Sequence, residues 1–482
     1  MFDDLRGFIQ KSKELGECKL IEGADWDLEI SRVAELGVSI PDSPLLVFDK
    51  VKGYPPGYRV AVNPLTSYNR LALVFGLPLN LKGIDQIRAY REKIREYKPI
   101  PPVYVETGPV KENVIVGDNI DLFKFPAPKW HEFDGGRYIG TGVSVIQKDP
   151  DNGWVNMGVY RTQIIDKNSV GFHCVAGHHG AIIAKKYWDR GKNCPIAIVC
   201  GEGLQLWLAT VSPTPINVSE YDYAGWMLGE PVKVVRGEKV DLPIPANAEI
   251  VLEGELLPPA VETVMEGPFG EWEGYYSGVK CVHPVVKVKA VLHRNDPIIL
   301  GVPMLVGDYC DNLSTTFEHS AHLWDELDRN IPGIKGVYVV PAARRRPMII
   351  VSLKQMYPGH ATQAALITAG SYQGAMHVGR WIITVDEDID PTNISEVLWA
   401  LGTRCDPKTQ IEIISNRLSQ ASDPRLEPEK REIGDFTTST AIVNACRPYS
   451  WIDRFPKTIK SSPEILEQVR KKWGPVIFGR DV

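Results

Sequence analysis

The chain has 482 residues, 44% of them hydrophobic and 24% charged, with a formal net charge of −6. A chain this long exceeds what one hydrophobic core fills, so two or three domains are expected, and the composition is that of a folded globular protein. The acidic balance excludes a global attraction to nucleic acid or to anionic lipid.

The amino terminus, MFDDLRGFIQKSKELGE, is amphipathic and mixed in charge, without the apolar stretch and small-residue cleavage site of a secretory signal. Leu5, Phe8 and Ile9 at helical spacing, stopped by Gly16, predict a helix over 4–15. Strands follow near 45–51 and 58–63. Ile84, Ile87, Tyr90 and Ile94 predict a helix over 83–97, which the four prolines of KPIPPVYVETGP break. Residues 1–112 thus read as an N-terminal α/β domain.

From 113 to 310 the chain turns to short β-rich runs, among them GTGVSVIQ, WVNMGVYRTQII, PIAIVCG and VVKVKAVLH. Frequent glycine and proline separate them, which favours a β-barrel over a parallel sheet, with helical inserts at 177–190 and 219–228. From 311 to 482 a second α/β unit is expected: a helix in FEHSAHLWDELDRN, strands GVYVVP and MIIVSL, and a helix at 360–374. The strand RWIITVD, a helix near 393–401 and a terminal helix in SSPEILEQVRKKWG complete it, the last on an arm suited to gripping a neighbouring subunit. No run reaches the length of a membrane span. Eight cysteines without a close pair point to reduced thiols and a cytoplasmic setting. The one basic cluster, Arg344 to Arg346, reads as a solvated turn or subunit contact, with a phosphate contact as the alternative.

EGPFGEWEG at 266–274 sets Glu266 and Glu271 on either side of Gly-Pro-Phe-Gly. Gly267, Gly270 and the φ-locked Pro268 allow a fold in which both acids face one cavity, although the same pattern suits a surface turn. In GWVNMGVYRTQ, Asn156 and Arg161 interrupt an apolar strand and need partners if buried. Arg161 suits Glu266, Glu271 or a substrate carboxylate. Strict alternation sends the two residues, five apart, to opposite faces, so either a bulge intervenes or they serve different parts of one ligand.

GHHG at 177–180 precedes a helix-like AIIAKKYW, and glycines at a helix N-terminus make a phosphate site in which a histidine can ligate a metal. Asn156, His179 and Glu220 together offer one nitrogen and two oxygens, a set suited to Mn²⁺ or Mg²⁺ more than to structural zinc. His319 and His322, beside Asp325 and Glu326, have a metal-like spacing that equally fits a polar helix face or a pocket wall. No intact GxGxxG follows a strand in a βαβ unit and no GxxxxGK[ST] exists, so ordinary dinucleotide and nucleoside-triphosphate chemistry are unsupported.

The motifs WxN-MGxYR, GHH, SEY, EGPxGE and RWIITVDEDID resemble, in order and spacing, those of the UbiD-like decarboxylases, and they span most of the chain. The resemblance implies an N-terminal α/β domain, a flavin-binding split β-barrel and a C-terminal α/β domain used in oligomers, a dimer or a hexamer built of dimers. It implies prenylated FMN as cofactor, delivered by a flavin prenyltransferase. Asn156, His179 and Glu220 are then ligands of a divalent ion, Mn²⁺ or Mg²⁺, bridging to the cofactor phosphate. A potassium ion is expected at main-chain or hydroxyl oxygens around Trp154, Ala209, Thr210 and Ser212. Thr141, Met157, Arg161, His178 and Arg380 are the further cofactor contacts implied, Arg380 replacing a frequent lysine with a planar fork. Arg161, Glu266 and Glu271 match the family's catalytic set.

The activity so implied is reversible, non-oxidative decarboxylation of an aromatic or heteroaromatic (α,β-unsaturated) carboxylic acid through a covalent adduct with the flavin, Glu271 donating the proton that replaces CO₂. Trp272 and Leu313 to Thr316 are candidate pocket residues. The alternatives are the carboxylase direction, a subunit of a multi-subunit aryl carboxylase, and an FMN-dependent reductase, which NAD(P)H oxidation would reveal.

Overall fold

The computed structural model describes residues 2–173, 177–212, 214, 217–276, 281–306, 313–341, 348–371, 374 and 379–478, with the backbone alone at Cys281, at Leu313 to Thr315 and at Pro463. The Arg344 to Arg346 cluster and the side chains of Leu313, Ser314 and Thr315 lie outside the described residues.

Asp4 opens the chain's first helix, α1 (Leu5–Glu14), its Oδ1 accepting from the Gly7 amide at 2.7 Å, while Leu5, Phe8 and Ile9 bury one face. The N-terminal unit continues with β1 (Cys18–Glu22), α2 (Glu29–Gly37), β2 (Leu45–Asp49), β3 (Arg59–Val62), α3 (Tyr68–Phe75) and α4 (Gly83–Arg95). β1 and α2 escape the sequence reading for a physical reason. β1 is a half-exposed edge strand whose place is set by parallel pairing with β2, and α2 buries little beyond Ile30 and Ala34.

The central unit contains β4 (Val103–Tyr104), β5 (Asn113–Val116), β6 (Tyr138–Gly140), β7 (Val143–Lys148), β8 (Val155–Gly158), β9 (Thr162–Ile164), β10 (Ser169–Phe172), α5 (His179–Trp188), β11 (Cys194–Cys200), α6 (Leu204–Val211) and α7 (Glu220–Leu228). It goes on through β12 (Lys233–Arg236), β13 (Pro243–Pro245), β14 (Ile250–Leu256), β15 (Thr263–Glu266), β16 (Cys281–His293) and β17 (Ile298–Gly301). β17 pairs in parallel with β3 and completes the N-terminal sheet.

Ten of these strands form one antiparallel sheet, in the order β6-β9-β10-β16-β14-β11-β7-β8, with β5 and β15 also on β16. The run WVNMGVYRTQII is therefore not one strand. β8 ends one side of the sheet and β9 lies near the other, and only Val159, Tyr160 and Arg161 join them. The four Cα-to-Cα steps from Gly158 to Thr162 span at most about 14 Å. The two sides must come close together, so the sheet is a curled, split barrel and Arg161 stands in the split. This removes the alternation conflict between Asn156 and Arg161, which belong to different strands. α6 carries no legible signal in the sequence, because Leu204 to Thr210 are all buried, which leaves no amphipathic period to read.

The C-terminal unit has α8 (Leu313–Asn330), β18 (Ile334–Val339), β19 (Met348–Leu353), α9 (His360–Gly370), β20 (Trp381–Asp386), β21 (Ile411–Leu418) and β22 (Thr437–Asn444), its sheet ordered β18-β19-β20-β22-β21. Phe75, Tyr90 and Phe317 cluster with centroids 4.5–5.2 Å apart, packing α3 and α4 on α8. Arg91 adds an ion pair to Asp325 at 2.5 Å. The terminal helix Pro463–Ile477 leaves Ile465, Leu466, Val469 and Trp473 exposed. Among the described residues no helix is long and apolar enough to cross a membrane.

One buried acid in the barrel yields a test. Glu202 is wholly buried with the Ser144 hydroxyl donating to it, and burial pushes it up to about 8. A carboxyl raised above its unfolded value contributes stability that is present at low pH and lost as pH rises through the folded value. The wild type should therefore weaken between about pH 5 and 8, by on the order of 4 kcal/mol, relative to Glu202→Gln, which lacks that titration. Denaturation midpoints of the two proteins across that range check it.

Candidate active site

β15 ends at Glu266, and the chain turns at once through Gly267, whose φ is +84°. The HEFDGG loop clamps this turn. Gly135 N donates to Pro268 O at 2.9 Å, and Gly270 N to Asp134 Oδ1 at 3.3 Å. A Cβ at Gly135 would stand 2.2 Å from Gly267 O, so only glycine permits the approach. Glu271 is thereby brought back beside Glu266, and Arg161 reaches both from the barrel split.

The Arg161 guanidinium grips Glu266 with two parallel bonds, Nε to Oε1 and Nη2 to Oε2, each 2.8 Å, and its Nη1 donates to Glu271 Oε1 at 2.8 Å. Side-chain exposure is 0% for Glu266, 12% for Arg161 and 16% for Glu271, so the set is largely withdrawn from water. Phe269 lies under the guanidinium at 5.0 Å. Tyr138 Oη donates to Glu266 Oε1 at 3.0 Å. Burial acts to raise Glu266, but the arginine outweighs it and holds that carboxyl below its ordinary range. Glu271, with its single bond to Arg161, borders a cavity of about 180 Å³ that His131, Phe133, Tyr275, Tyr276 and Met304 also line.

Two histidines stand behind Glu266. β15 pairs with β16 so that Val264 faces His283, and β10 pairs with β16 so that Gly171 faces Val285. Two residues on from Gly171, just past the end of β10, His173 meets His283, with Nδ1 2.8 Å from Nε2. These atoms lie 3.8 and 3.7 Å from Glu266 Oε2. Burial, then the Arg161 charge and the neighbouring imidazole, push His173 down to about 3, and burial also lowers His283, so both rings are neutral.

A second cluster forms where α5 begins. His178 is its N-cap residue and His179 its first residue, and His179 Nδ1 lies 3.2 Å from Asn156 Oδ1 on β8. Asn156 is buried, and its Nδ2 has no hydrogen-bond partner among the described residues. Glu220, at the start of α7, accepts from the Met157 amide at 2.7 Å and from Thr214 Oγ1 at 2.6 Å, and burial raises it to about 7. The indole of Trp154 meets the His179 ring edge-on at 5.0 Å. Asn156, Met157, His179 and Glu220 are thus drawn together.

The other candidates are placed differently. Thr141 Oγ1 accepts from Val302 N at 3.0 Å. Ala209 and Thr210 lie at the end of α6, where Thr210 Oγ1 donates to Trp207 O, and Ser212 donates to Glu318 Oε1 at 2.9 Å. Arg380 binds buried Asp423 at 2.7 Å, and the same segment reaches the acid loop through Ser422 Oγ, which donates to Glu273 at 3.1 Å. His319 is buried, and Asp325 is engaged by Arg91 and Arg95 in an ion-paired contact between α4 and α8. Trp272 packs against the main core.

Sequence reasoning missed Tyr138, Asp134, His173 and His283. HEFDGGRY carried a legible signal for the first two, a histidine and an aspartate before paired glycines. Nothing local marks the two histidines, which lie 110 positions apart.

Family models match most of the chain: the 3-octaprenyl-4-hydroxybenzoate carboxy-lyase N-terminal domain over 9–89, its Rift-related domain over 103–307 and its C-terminal domain over 314–445. A phenolic acid decarboxylase of Bacillus subtilis is 32% identical over 453 residues, covering 91% of this chain and 93% of the relative. A pyrrole-2-carboxylic acid decarboxylase of Pseudomonas aeruginosa is 34% identical over 423 residues, covering 84% and 83%. Among solved structures, the vanillic acid decarboxylase of Sedimentibacter hydroxybenzoicus in open form superposes with a TM-score of 0.85 at 29% identity, covering 99% of both chains. The UbiD-class enzyme HmfF of Pelotomaculum thermopropionicum, solved with FMN, gives 0.84 at 27% identity over 96% of this chain and 98% of that one, and an evolved dimeric form of it was solved with prFMN. With the split barrel, the paired acids on Arg161 and matches along nearly its whole length, the chain belongs to the UbiD family of carboxy-lyases.

Proposed function

We propose that the protein is a prenylated-FMN-dependent decarboxylase of an aromatic or heteroaromatic carboxylic acid, acting reversibly and without net oxidation. The observation that carries this reading is the Glu266–Arg161–Glu271 set. Removing CO₂ from a carboxylate requires a proton to take its place. Glu266 already matches the charge of Arg161, so Glu271 is left to carry and donate that proton at the cavity edge. Arg161 fixes the plane of the Glu271 carboxyl, and Phe269 and Tyr138 fix Arg161 and Glu266 in turn.

When bound, prenylated FMN supplies the electron sink for departure of the carboxylate. The residues present fit it. The N-terminus of α5 with His178 is suited to its phosphate. Asn156, His179 and Glu220 would hold Mn²⁺ or Mg²⁺, whose charge offsets the burial of Glu220 and whose coordination shell suits the Asn156 amide. Trp154, Ala209, Thr210 and Ser212 are the residues that would supply oxygens to K⁺. Direction follows mass action on CO₂, so carboxylation is the same chemistry reversed. A homo-oligomer is supported by the exposed apolar residues of the terminal helix.

Asn156→Ala and His179→Ala should each weaken divalent-metal retention by at least the roughly 10–100-fold that loss of a mere outer-shell partner costs, and lower flavin content in parallel, as read by metal analysis and flavin absorbance. The function itself is tested on protein co-produced with a flavin prenyltransferase, assayed without oxygen on phenolic, pyrrole and cinnamic-type acids. Loss of one acid with release of CO₂ supports the reading. Oxidation of NAD(P)H with no acid consumed would replace it with a reductase.

A further inference from the structure

We propose that His173, His283 and Glu266 form a binding site for an imidazole-preferring divalent transition metal, zinc foremost, and that loading it disables the acid network. The binding claim goes beyond the proposed function, while the inhibitory consequence rests on it. Three strands of one sheet make the site: His173 follows β10, His283 lies on β16 and Glu266 ends β15, and all three donor atoms lie within 4.8 Å of one another. Their separations are 2.8, 3.7 and 3.8 Å. A point equidistant from the three therefore lies about 2.0 Å from each, against roughly 2.0–2.2 Å for zinc bonds to imidazole nitrogen and carboxylate oxygen.

The chemistry agrees with the spacing. Glu266 Oε1 is engaged by both Arg161 Nε and Tyr138 Oη, but Oε2 receives Arg161 Nη2, and the two imidazole nitrogens facing it are too distant to hydrogen-bond. Neutral imidazoles and an ionised carboxylate are what a metal requires; the proton held between His173 Nδ1 and His283 Nε2 moves to the far nitrogen of its own ring as the metal enters, so the pair changes tautomer without losing a proton. Arg161 is the cation that opposes a second positive charge, and the Glu266 carboxylate stands between it and the metal position. Three protein ligands with His173 reaching solvent leave a fourth position for water, the pattern of an exchangeable site. A metal on Oε2 competes with Arg161 Nη2 for the same oxygen and so loosens the grip that positions Glu271.

The test is equilibrium dialysis of the flavin-loaded, manganese-saturated protein against zinc chloride, beside the His173→Gln/His283→Gln double variant. The wild type should bind one more zinc per chain, and cobalt substituted for zinc should give visible absorption bands that the variant lacks. Zinc should lower wild-type turnover at least tenfold and leave the variant's residual turnover within twofold. Equal zinc counts in two proteins of matching flavin content and melting temperature would overturn the site. Should the double variant fail to fold, each single variant decides instead, by at least a tenfold loss of zinc affinity or none. Zinc bound at this site with turnover unaffected would overturn the inhibitory role. If no acid is turned over, the proposed function fails, while the zinc count still decides the site.

Discussion

Glu271→Gln should lower decarboxylation by about 10²–10⁴-fold, the usual worth of a positioned general acid, while fold and flavin content stay those of the wild type. The glutamine carbonyl can still accept from Arg161 Nη1, as Glu271 Oε1 does at 2.8 Å, so the loop and the arginine keep their positions. What is lost is the proton that replaces CO₂. Among the described residues no hydrogen bond or ion pair joins Glu271 to Asn156, His179 or Glu220, so cofactor retention should be indifferent to it. Single-turnover rates, flavin absorbance and melting temperature, measured on the same preparation, separate these effects. A variant as active as the wild type would remove Glu271 from the proton step.

Arg161→Met should be the most damaging single change to both stability and turnover. It strips both guanidinium bonds from Glu266, whose side chain is 0% exposed, and leaves a buried carboxylate without its counter-charge. Breaking a buried pair in this way costs about 3–5 kcal/mol. The pH dependence has a definite sign. In the wild type Glu266 is held low, so its contribution is present above the unfolded value and is lost as pH falls through the folded one. In the variant burial is unopposed and the carboxyl is raised, so stability is lost as pH rises instead. The gap between the two proteins should therefore be widest near neutrality and close toward pH 4. Adding Glu266→Leu should restore much of the stability, since the orphaned charge is then gone, without restoring turnover. Denaturation and decarboxylation assays on the three proteins check both halves.

Much of the site was legible in the chain because it rests on residue types that must be satisfied. An arginine in an apolar run needs an anion, and two glutamates around Gly-Pro-Phe-Gly are acids on a turn that can fold back. That argument reaches Arg161, Glu266 and Glu271 together, and the geometry joins them with three 2.8 Å bonds. It did not reach the run from Trp154 to Ile165 as two strands, because apolar alternation continues through the split and only pairing partners reveal the break. Arg380 shows the same limit. A cation beside a strand is visible in sequence, but its choice of Asp423 depends on where the 419–423 segment docks.

The sequence by itself determined the globular class, the helix at 5–14, the strands around 45–62, the β-rich centre and the chemical types at the active site. These follow from local period, glycine and proline placement, and unmet charge, all of which act over a few residues. Only the tertiary structure decided that β17 completes the N-terminal sheet, that Asp134 clamps the acid loop, and that His173 and His283 meet behind Glu266. The first and last of those contacts are fixed by strand register between segments distant in the chain, and the Asp134 clamp by the docking of two loops. A shift of one residue would turn every side chain to the opposite face, so local pattern alone does not contain them.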